Sequence, residues 1–236
     1  MITVDLSQLP LNPGDITLDI GCGSGRHTAA LYDLDHCMAV GADTNLDDLA
    51  QARSKLSWHS AYLPHKIGRW SLACADISRL PFKDGSIDLV ICSEVLEHIH
   101  QDDMAIRECI RVLKPGKHLV VSVPRRWPET LCWALSRQYR TTEGGHLRIY
   151  HPHRLIDRIQ SSGVRLWKRH YAHGLHTPYW WLRCLVGPER QACWPVAQYH
   201  RFLTWDLMEK PKLTRQLEAA LNPVIGKSIV LYFQKS

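Results

Sequence analysis

Residues 18–25 of the chain read LDIGCGSG, and this stretch decides the fold. The apolar run at residues 16–20 predicts a buried strand, and residues 27–34 predict a helix. Glycine allows a sharp turn and a close approach of a ligand to the backbone. The first turn of a helix offers unpaired N–H groups. The stretch therefore predicts a strand, a glycine-rich turn and a helix that together form a ligand site.

The spacing of the glycines narrows the kind of ligand. A dinucleotide site needs a glycine three positions after Gly23, and this chain has Arg26 there. Glycines at alternate positions, with an acidic residue before them, instead suit a ligand that carries a cationic amino-acid end. The candidate binding residues in this stretch are Asp19, Gly21, Cys22, Gly23 and Gly25.

Strands and helices alternate along the first 125 residues. Further strands are predicted at 37–42, 71–75, 87–92 and 118–123, with helical spacing at 46–56 and 102–113 and a turn at 114–117. Two C-terminal strands are predicted at 164–170 and 228–233. Apolar strands that alternate with helices indicate a parallel sheet covered on both faces. The predicted fold is α/β: a Rossmann-like, doubly wound, mostly parallel seven-stranded sheet, with a lid inserted between the fifth strand and the C-terminal strand pair.

Several further motifs resemble those of the class I S-adenosylmethionine-dependent methyltransferases. The connector LPF-x-DGSID at 80–88, SEVLEH at 93–98 and RVLKPG at 111–116 match family segments. The resemblance covers residues 12–124 and implies that S-adenosylmethionine is the cofactor. It implies that Asp43 holds the ribose hydroxyls and that Asp76 and Ile77 hold the adenine. Thr44, Ser93 and Glu94 complete the expected cofactor site.

The same resemblance implies a division of the chain. Residues 1–124 are expected to form the cofactor-binding half, and residues 125–236 the acceptor-side lid and the C-terminal strands of the same domain. Glu94, Glu97 and His98 are spaced so that one helical turn brings them close together. A similar pattern in quinone-pathway O-methyltransferases has been assigned to a divalent cation, and oxygen ligands with one imidazole can bind such an ion. The pattern is also widespread in related enzymes that need no metal, so we assign no metal and expect His98 to take part in catalysis.

The segment GGHLRIY at 144–150 is similar to the acceptor-side segment of many small-molecule methyltransferases. A histidine can take the proton of a hydroxyl nucleophile, so we expect His146 to be the base. Arg148 is a candidate anion holder, and Tyr150 is expected to contact the acceptor. The alternatives are that His146 only hydrogen-bonds a loop, or that another nearby histidine carries the role. The spacing of those histidines matches no zinc signature.

Aromatic residues are concentrated in the C-terminal half. Residues 127–205 contain seven of the nine tryptophans, and residues 171–205 show no clean period. Such residues can stack on bases, lie at a lipid interface, clasp a sugar or an apolar tail, or simply pack between a lid and the sheet. We expect His176, Trp180 and Trp181 to lie on the lid and to bind the acceptor.

Charge and cysteine content limit the partners and the compartment. The net charge of +6 combines −6 over residues 1–100 with +12 over residues 101–236, so the basic half favours an anionic partner or a solvated surface. No long basic run or RNA-binding module is present, so nucleic acid is not an expected partner. Eight scattered cysteines and the lack of a visible export signal predict a cytoplasmic protein. Peripheral membrane contact stays open.

The predicted activity is methyl transfer from S-adenosylmethionine to a small molecule. The favoured acceptor atom is a hydroxyl oxygen on an anionic, lipid-linked or sugar-like compound. One alternative is C-methylation of a lipid or a quinone-like ring. Another is a partner protein that binds the cofactor without turnover. Fold alone does not identify the acceptor, since one scaffold serves many acceptors.

Overall fold

One seven-stranded sheet organises the chain. A computed structural model describes residues 2–34, 36–62, 68–141, 145–187 and 193–236. The strand order is β3-β2-β1-β4-β5-β7-β6; β1 to β5 are parallel, and β7 is antiparallel to both of its neighbours. The strands are β1 (Ile16–Ile20), β2 (Met38–Asp43), β3 (Arg69–Cys74), β4 (Ile87–Ser93), β5 (Leu113–Pro124), β6 (Val164–Ala172) and β7 (Ser228–Lys235).

Helices cover both faces of the sheet. Within the described ranges they are α1 (Arg26–Tyr32), α2 (Leu46–Tyr62), α3 (Asp102–Val112), α4 (Arg126–Leu135), α5 (Arg137–Thr141), α6 (Pro152–Gln160), α7 (Thr177–Val186), α8 (Trp194–Glu209) and α9 (Lys212–Ile225). Short 3₁₀ helices lie at Leu6–Gln8, Leu96–His98 and Gly174–His176.

Strand β4 shows how the two faces are filled. Val90 and Cys92 belong to a core cluster that includes side chains of α3 and α6, whereas Leu89 and Ile91 belong to a second cluster with side chains of α1 and α2. All four residues are fully buried. Successive side chains of a strand point to opposite faces, so a strand between two helical layers is apolar throughout. The predicted sheet with both faces covered is confirmed.

All seven predicted strands are present, and the largest difference in a strand boundary is at the start of β5. The turn predicted at residues 114–117 lies inside β5, which begins at Leu113. Ile87 pairs with Leu113 and Leu89 pairs with His118, so residues 114–117 bulge out of the ladder between β4 and β5. Lys114 and Lys117 anchor the bulge on Asp88, with Nζ–Oδ distances of 2.7 and 3.0 Å.

The predicted lid is split between two places. Helices α4 and α5 precede the C-terminal strands as expected, but α7, α8 and α9 lie between β6 and β7. Trp180 and Trp181 on α7 therefore fall inside the strand pair, which corrects the predicted position. The two helical insertions still meet, because the rings of Trp127 on α4 and Trp181 on α7 are 5.4 Å apart. None of the helices in the described ranges has both the length and the apolar character needed to cross a bilayer.

Candidate functional site

A cavity of about 400 Å³ lies at the carboxyl ends of β1, β2, β3 and β4. Ligands of open parallel sheets bind at this edge. Six of the predicted cofactor residues line the cavity beside His98: Gly21, Asp43, Thr44, Asp76, Ile77 and Glu94. The other predicted cofactor residues do not belong to the described lining and support it from behind: Asp19, Cys22, Gly23, Gly25 and Ser93.

The glycine-rich turn shapes one wall of this cavity. Gly21 and Gly25 have φ angles of 63° and 75°, a backbone conformation that other residues rarely adopt. A Cβ atom at Gly21 would lie 2.4 Å from Cγ2 of Val95, which lines the cavity. A Cβ atom at Gly25 would lie 2.9 Å from Cβ of Ala52 on α2. Both backbone conformation and space therefore require glycine at these two positions.

Asp43, at the end of β2, ties the turn to the sheet. Its Oδ2 accepts a hydrogen bond from the N–H of Gly23 at 2.8 Å, and its Oδ1 accepts one from the N–H of Asn45 at 2.9 Å. These bonds orient the carboxylate in the cavity wall. Each oxygen retains a lone pair for a further donor. A pair of neighbouring hydroxyl groups is the ligand feature that such a carboxylate suits.

Asp19 has a structural role that differs from the predicted one. It is 1% exposed, and its Oδ2 accepts hydrogen bonds from the N–H and the hydroxyl of Thr28 at 2.9 and 2.7 Å. Burial raises the pKa of Asp19 to about 7, against the opposing effect of the Thr28 bonds. We predicted that Asp19 meets the cationic end of the ligand. The structure instead uses this carboxyl group to link β1 to α1 behind the turn.

Cys22 contributes its backbone to the turn. Its N–H donates to the carbonyl oxygen of Ala42 at 3.1 Å, which joins the turn to the end of β2. The thiol is buried, and burial raises its pKa to about 12. A thiol with so high a pKa is not a nucleophile at neutral pH. The side chain of Cys22 is therefore a packing element of the cofactor site.

Glu94 is held in an uncommon conformation by Ser122. Its φ angle is 58°, its N–H donates to the carbonyl oxygen of Ser122 at 2.9 Å, and its Oε1 accepts from the Ser122 hydroxyl at 2.9 Å. The Ser93 hydroxyl lies 2.8 Å from that of Ser122. Because the single hydroxyl proton of Ser122 goes to Glu94, Ser93 must be the donor of this second bond. Sequence reasoning missed Ser122, which lies on β5 far from the SEVLEH motif.

Asp76 and Ile77 follow β3 and line the opposite side of the cavity. Oδ1 of Asp76 accepts hydrogen bonds from the N–H and the hydroxyl of Ser78, at 2.7 and 2.8 Å. Ile77 is buried in the core beside it. A carboxylate and an apolar side chain thus lie next to each other in the cavity wall, and their role in holding adenine stays a prediction.

His146 pairs with a buried carboxylate. Its Nδ1 lies 2.6 Å from Oε1 of Glu129, a residue of α4 that is 2% exposed. The hydroxyl of Tyr139 donates to the other carboxylate oxygen at 3.4 Å. Burial favours a raised pKa of Glu129, but the hydrogen bond and charge of His146, together with Lys227, hold this pKa below its usual value. A carboxylate that fixes the Nδ1–H of an imidazole leaves the Nε2 lone pair available.

Sequence reasoning missed Glu129 for a physical reason. Glu129 and His146 belong to different elements, and no spacing rule connects a residue in the first turn of a helix with a loop residue 17 positions later. The segment LCWAL at residues 131–135 of α4 is apolar at every position, so it gives no sign of the partner of Glu129. Gly144, part of the same predicted motif as His146, lies outside the described residues.

His98 connects this pair to the cofactor cavity. It lines the cavity, and the centroid of its ring is 5.1 Å from that of His146. Its Nδ1 lies 3.2 Å from the carbonyl oxygen of Gly145, which can only accept, so Nδ1 carries the proton of that bond. The N–H of Leu147 donates to the carbonyl oxygen of Glu97 at 2.9 Å. The two predicted catalytic histidines are thus brought together.

Glu97 lies fully buried beside the two histidines. Neither of its carboxyl oxygens has a hydrogen-bond partner among the described residues. Burial raises the pKa of Glu97 well above its usual value, and the charge of Glu94 adds to the effect. Glu97, His98 and His146 offer ligand atoms that all lie within 4.8 Å of one another, so they form a candidate cation site. Compared with the predicted set of Glu94, Glu97 and His98, this cluster contains His146 in place of Glu94, because Glu94 is hydrogen-bonded to Ser122. The assignment of no metal stays a prediction.

Arg148 and Tyr150 take part in a structural network instead of an acceptor site. Nη1 of Arg148 lies 2.7 Å from Oδ2 of Asp102, and Nη2 donates to the carbonyl oxygen of His100 at 3.0 Å. The Tyr150 hydroxyl and the Arg158 guanidinium also contact Oδ2 of Asp102. A carboxylate with three such donors fixes the segment after His146 to the start of α3. This corrects the prediction that Arg148 holds an anion.

The three predicted acceptor residues of the aromatic segment lie in different surroundings. Trp180 lies near Tyr139, which donates to Glu129. The ring centroids of Trp180 and Tyr139 are 6.0 Å apart, and Nζ of Lys227 lies 4.6 Å from the centroid of the Trp180 ring. Trp181 packs on α4 and donates from Nε1 to the carbonyl oxygen of Pro128 at 3.2 Å. His176 lines a separate cavity. Trp180 thus lies near Tyr139, Trp181 on α4 and His176 in another cavity, and their predicted acceptor roles stay predictions.

Comparison with known proteins identifies the class of protein. Residues 18–121 match the family model described as a methyltransferase domain. The chain is 32% identical over 178 residues to the ubiquinone biosynthesis O-methyltransferase of Marinobacter nauticus, covering 69% of this chain and 72% of that protein. It is 35% identical over 118 residues to the malonyl-[acyl-carrier protein] O-methyltransferase of Marinomonas sp., covering 50% of this chain and 41% of that protein. A SAM-dependent methyltransferase structure from Methanosarcina mazei is similar with a TM-score of 0.57 and 16% identity, covering 95% of this chain and 94% of that one.

The chain belongs to the S-adenosylmethionine-dependent methyltransferases of class I, and S-adenosylmethionine is its cofactor. The resemblance carried by the sequence motifs is confirmed. The chain spans between 34% and 41% of the length of three of the curated relatives that it matches. Those relatives also differ in the compounds named for them, so the acceptor and the atom that is methylated do not follow from the family.

Proposed function

We propose that this enzyme methylates a hydroxyl oxygen of a small-molecule acceptor and that His146 is the base. The observation that carries the proposal is the 2.6 Å contact between Nδ1 of His146 and the buried carboxylate of Glu129. A carboxylate in this position selects the tautomer with a free Nε2 and stabilises the imidazolium that forms when Nε2 takes a proton. Histidine bases held in this way are common in enzymes that activate hydroxyl groups.

The two halves of the chain divide the work. In residues 1–124, Asp43 is placed to hold the ribose hydroxyls and Asp76 with Ile77 to hold the adenine. The cavity fits the cofactor, because a Cβ atom at Gly21 would close the gap to Val95 and carboxylates stand at two strand ends. S-adenosylmethionine supplies an electrophilic methyl group when bound. Residues 125–236 supply the base and the acceptor side.

The proton of the acceptor follows a short path. The hydroxyl oxygen gives its proton to Nε2 of His146, while the Nδ1–H stays hydrogen-bonded to Glu129. His98 lines the cofactor cavity, and its ring lies next to that of His146. An acceptor hydroxyl held between the two rings would therefore be adjacent to both the cofactor cavity and the base. Tyr139 and Trp180 pack beside the pair and exclude water from it.

We propose a lipid-linked or otherwise apolar acceptor. Large apolar side chains are between 49% and 75% exposed on α8 and α9: Trp194, Trp205, Met208, Leu213 and Val224. Trp205 and Met208 are three positions apart on α8, so their side chains lie on neighbouring parts of the helix surface. Exposed apolar side chains of this kind suit an apolar partner, and the net charge of +12 over residues 101–236 favours an anionic one. The relative named for ubiquinone biosynthesis is an O-methyltransferase, which supports oxygen as the atom methylated. The eight cysteines are free thiols, which supports a cytoplasmic location.

The test compares His146→Ala with His153→Ala, an exposed histidine on α6 that serves as the matched control. Acceptors are screened with isotope-labelled cofactor, and mass spectrometry with NMR of the product distinguishes O-methyl from C-methyl groups. We expect His146→Ala to lower turnover by about 10²–10⁴-fold and His153→Ala to leave it unchanged. The affinity for S-adenosylhomocysteine should be the same in all three proteins. Near-normal turnover of His146→Ala, or a C-methylated product, would contradict the proposal.

A further inference from the structure

A second cavity, of about 750 Å³, lies where β6 ends and where α8 and α9 pack against the sheet. Its lining includes His173 and His176 after β6, Asp206 of α8, and Arg215 and Glu218 of α9. The proposed methyl transfer uses none of these residues. Apart from the exposed Arg215, they are titratable groups that are buried or half-buried, and such groups need partners.

Three of these side chains can share one ligand. His173, His176 and Glu218 each offer a ligand atom, and these atoms all lie within 4.8 Å of one another. The two imidazole rings are 5.8 Å apart between centroids and nearly perpendicular. Two imidazoles and a carboxylate form a donor set that zinc takes in proteins.

Two buried atoms at this cavity lack a partner within the described part of the chain: one belongs to His176, a member of the cluster, and one to Asp206, which lies beside it. Oδ1 of Asp206 is buried without a hydrogen bond, and Asp206 is 2% exposed. Nδ1 of His176 is buried without one as well. Arg215 meanwhile contacts the second oxygen of Asp206 and lies 3.1 Å from Oε2 of Glu218. Ligating carboxylates are often oriented by a hydrogen bond to their second oxygen, and Arg215 is placed to do this for Glu218.

His173 has an uncommon backbone conformation, and a hydrogen bond orients its side chain. Its φ angle is 67°, which is uncommon for a residue with a side chain. Its Nε2 lies 3.0 Å from Oγ1 of Thr3, which leaves Nδ1 for another ligand. Two neighbouring carboxylates disfavour an anion here.

We propose that His173, His176 and Glu218 bind a zinc ion outside the cofactor cavity. The ion would join the segment after β6 to α9, and Arg215 of α9 contacts Asp206 of α8. We predicted no zinc because the spacing of the neighbouring histidines matches no zinc signature. The carboxylate ligand, Glu218, lies 42 residues after His176, and only the packing of α9 brings it to the histidines.

The test uses the full chain, freed of metal with a chelator and then titrated with Zn²⁺ alone. Bound zinc per chain is measured by atomic emission after gel filtration, and the affinity by competition with a chromophoric chelator. We expect one tightly bound ion and a rise in Tm, since the ion binds the folded state. In Glu218→Gln and in His176→Ala the affinity should fall by at least about 10- to 100-fold, the loss that even an outer partner of a zinc site causes. Binding of Co²⁺ should give the intense visible bands of a four-coordinate site.

Two controls separate this site from other histidines. His98→Ala removes a member of the Glu97–His98–His146 cluster, and His153→Ala removes an exposed histidine; both should keep the ion. Circular dichroism verifies that each variant is folded, and Glu218→Gln preserves the shape of the side chain if His176→Ala does not fold. The proposal is overturned if the wild-type chain binds no zinc, or if folded Glu218→Gln binds it as tightly as the wild type.

Discussion

Replacement of Gly21 by alanine tests how closely the cofactor cavity depends on one missing side chain. The φ angle of 63° costs an alanine about 1–2 kcal/mol. Its Cβ would lie 2.4 Å from Cγ2 of Val95, and relief of such overpacking costs about 1–3 kcal/mol more. For a chain of this size we expect a fall in Tm of about 4–20 °C. Because Val95 lines the cavity, the affinity for S-adenosylhomocysteine should fall as well.

Gly116→Ala is the matched control. Gly116 has a φ angle of 74°, but a Cβ there meets no described heavy atom within 4 Å, and the residue lies in the bulge of β5 away from the cavity. Gly116→Ala is destabilised only by the positive φ angle, so its Tm should fall by about 2–8 °C and its affinity for S-adenosylhomocysteine should not change. Differential scanning fluorimetry and isothermal titration calorimetry measure both quantities. An equal fall in Tm for the two variants, with ligand affinity kept in Gly21→Ala, would refute the reasoning.

Three further outcomes are expected. Glu129→Gln removes a charged hydrogen bond worth about 1.5–3 kcal/mol, so methyl transfer should slow by about 10- to 150-fold; an unchanged rate would show that Glu129 does not assist the base. Burial raises the pKa of Asp19 to about 7, so its protonation stabilises the fold at low pH, and this contribution is lost as the pH rises through 7. Between pH 5 and pH 8 the free energy of unfolding, measured by denaturation, should therefore fall by about 2–3 kcal/mol more in the wild type than in Asp19→Asn. Equal falls would contradict the raised pKa of the buried carboxyl group. Added Mg²⁺ should leave the initial rate unchanged, because burial raises the pKa of Glu97 and so disfavours its charged form, and Ser122 holds Glu94; a rate that requires Mg²⁺ would identify a metal at this cluster.

The cofactor side of the molecule was predictable because its signals are local. The glycine-rich turn follows directly after β1, and Asp43 and Asp76 stand at or just after the ends of their strands. In a parallel sheet these ends lie along the same edge, so a short stretch of sequence places each residue. The strands themselves are apolar throughout because both of their faces are covered.

The acceptor side was less predictable because its contacts are long-range. The residue type of Arg148 suits an anion, but Asp102 on α3 already binds it. The residue type of Asp19 suits a cationic ligand, but Thr28 on α1 occupies its Oδ2. In both cases we predicted that an ionisable residue binds a ligand, but its partner is a residue on a neighbouring helix. Only the packing of the elements decides between these two uses of a charge.

The place of β7 between β5 and β6 has a consequence for synthesis of the enzyme on the ribosome. Strands β1 to β5 can pair in the order in which they emerge, but β6 must wait for β7, its neighbour in the sheet. Since domains assemble progressively as the chain emerges, we expect the nascent protein to complete its cofactor cavity before α7, α8 and α9 are enclosed. A newborn chain should therefore hold S-adenosylmethionine some time before it can transfer the methyl group to any acceptor.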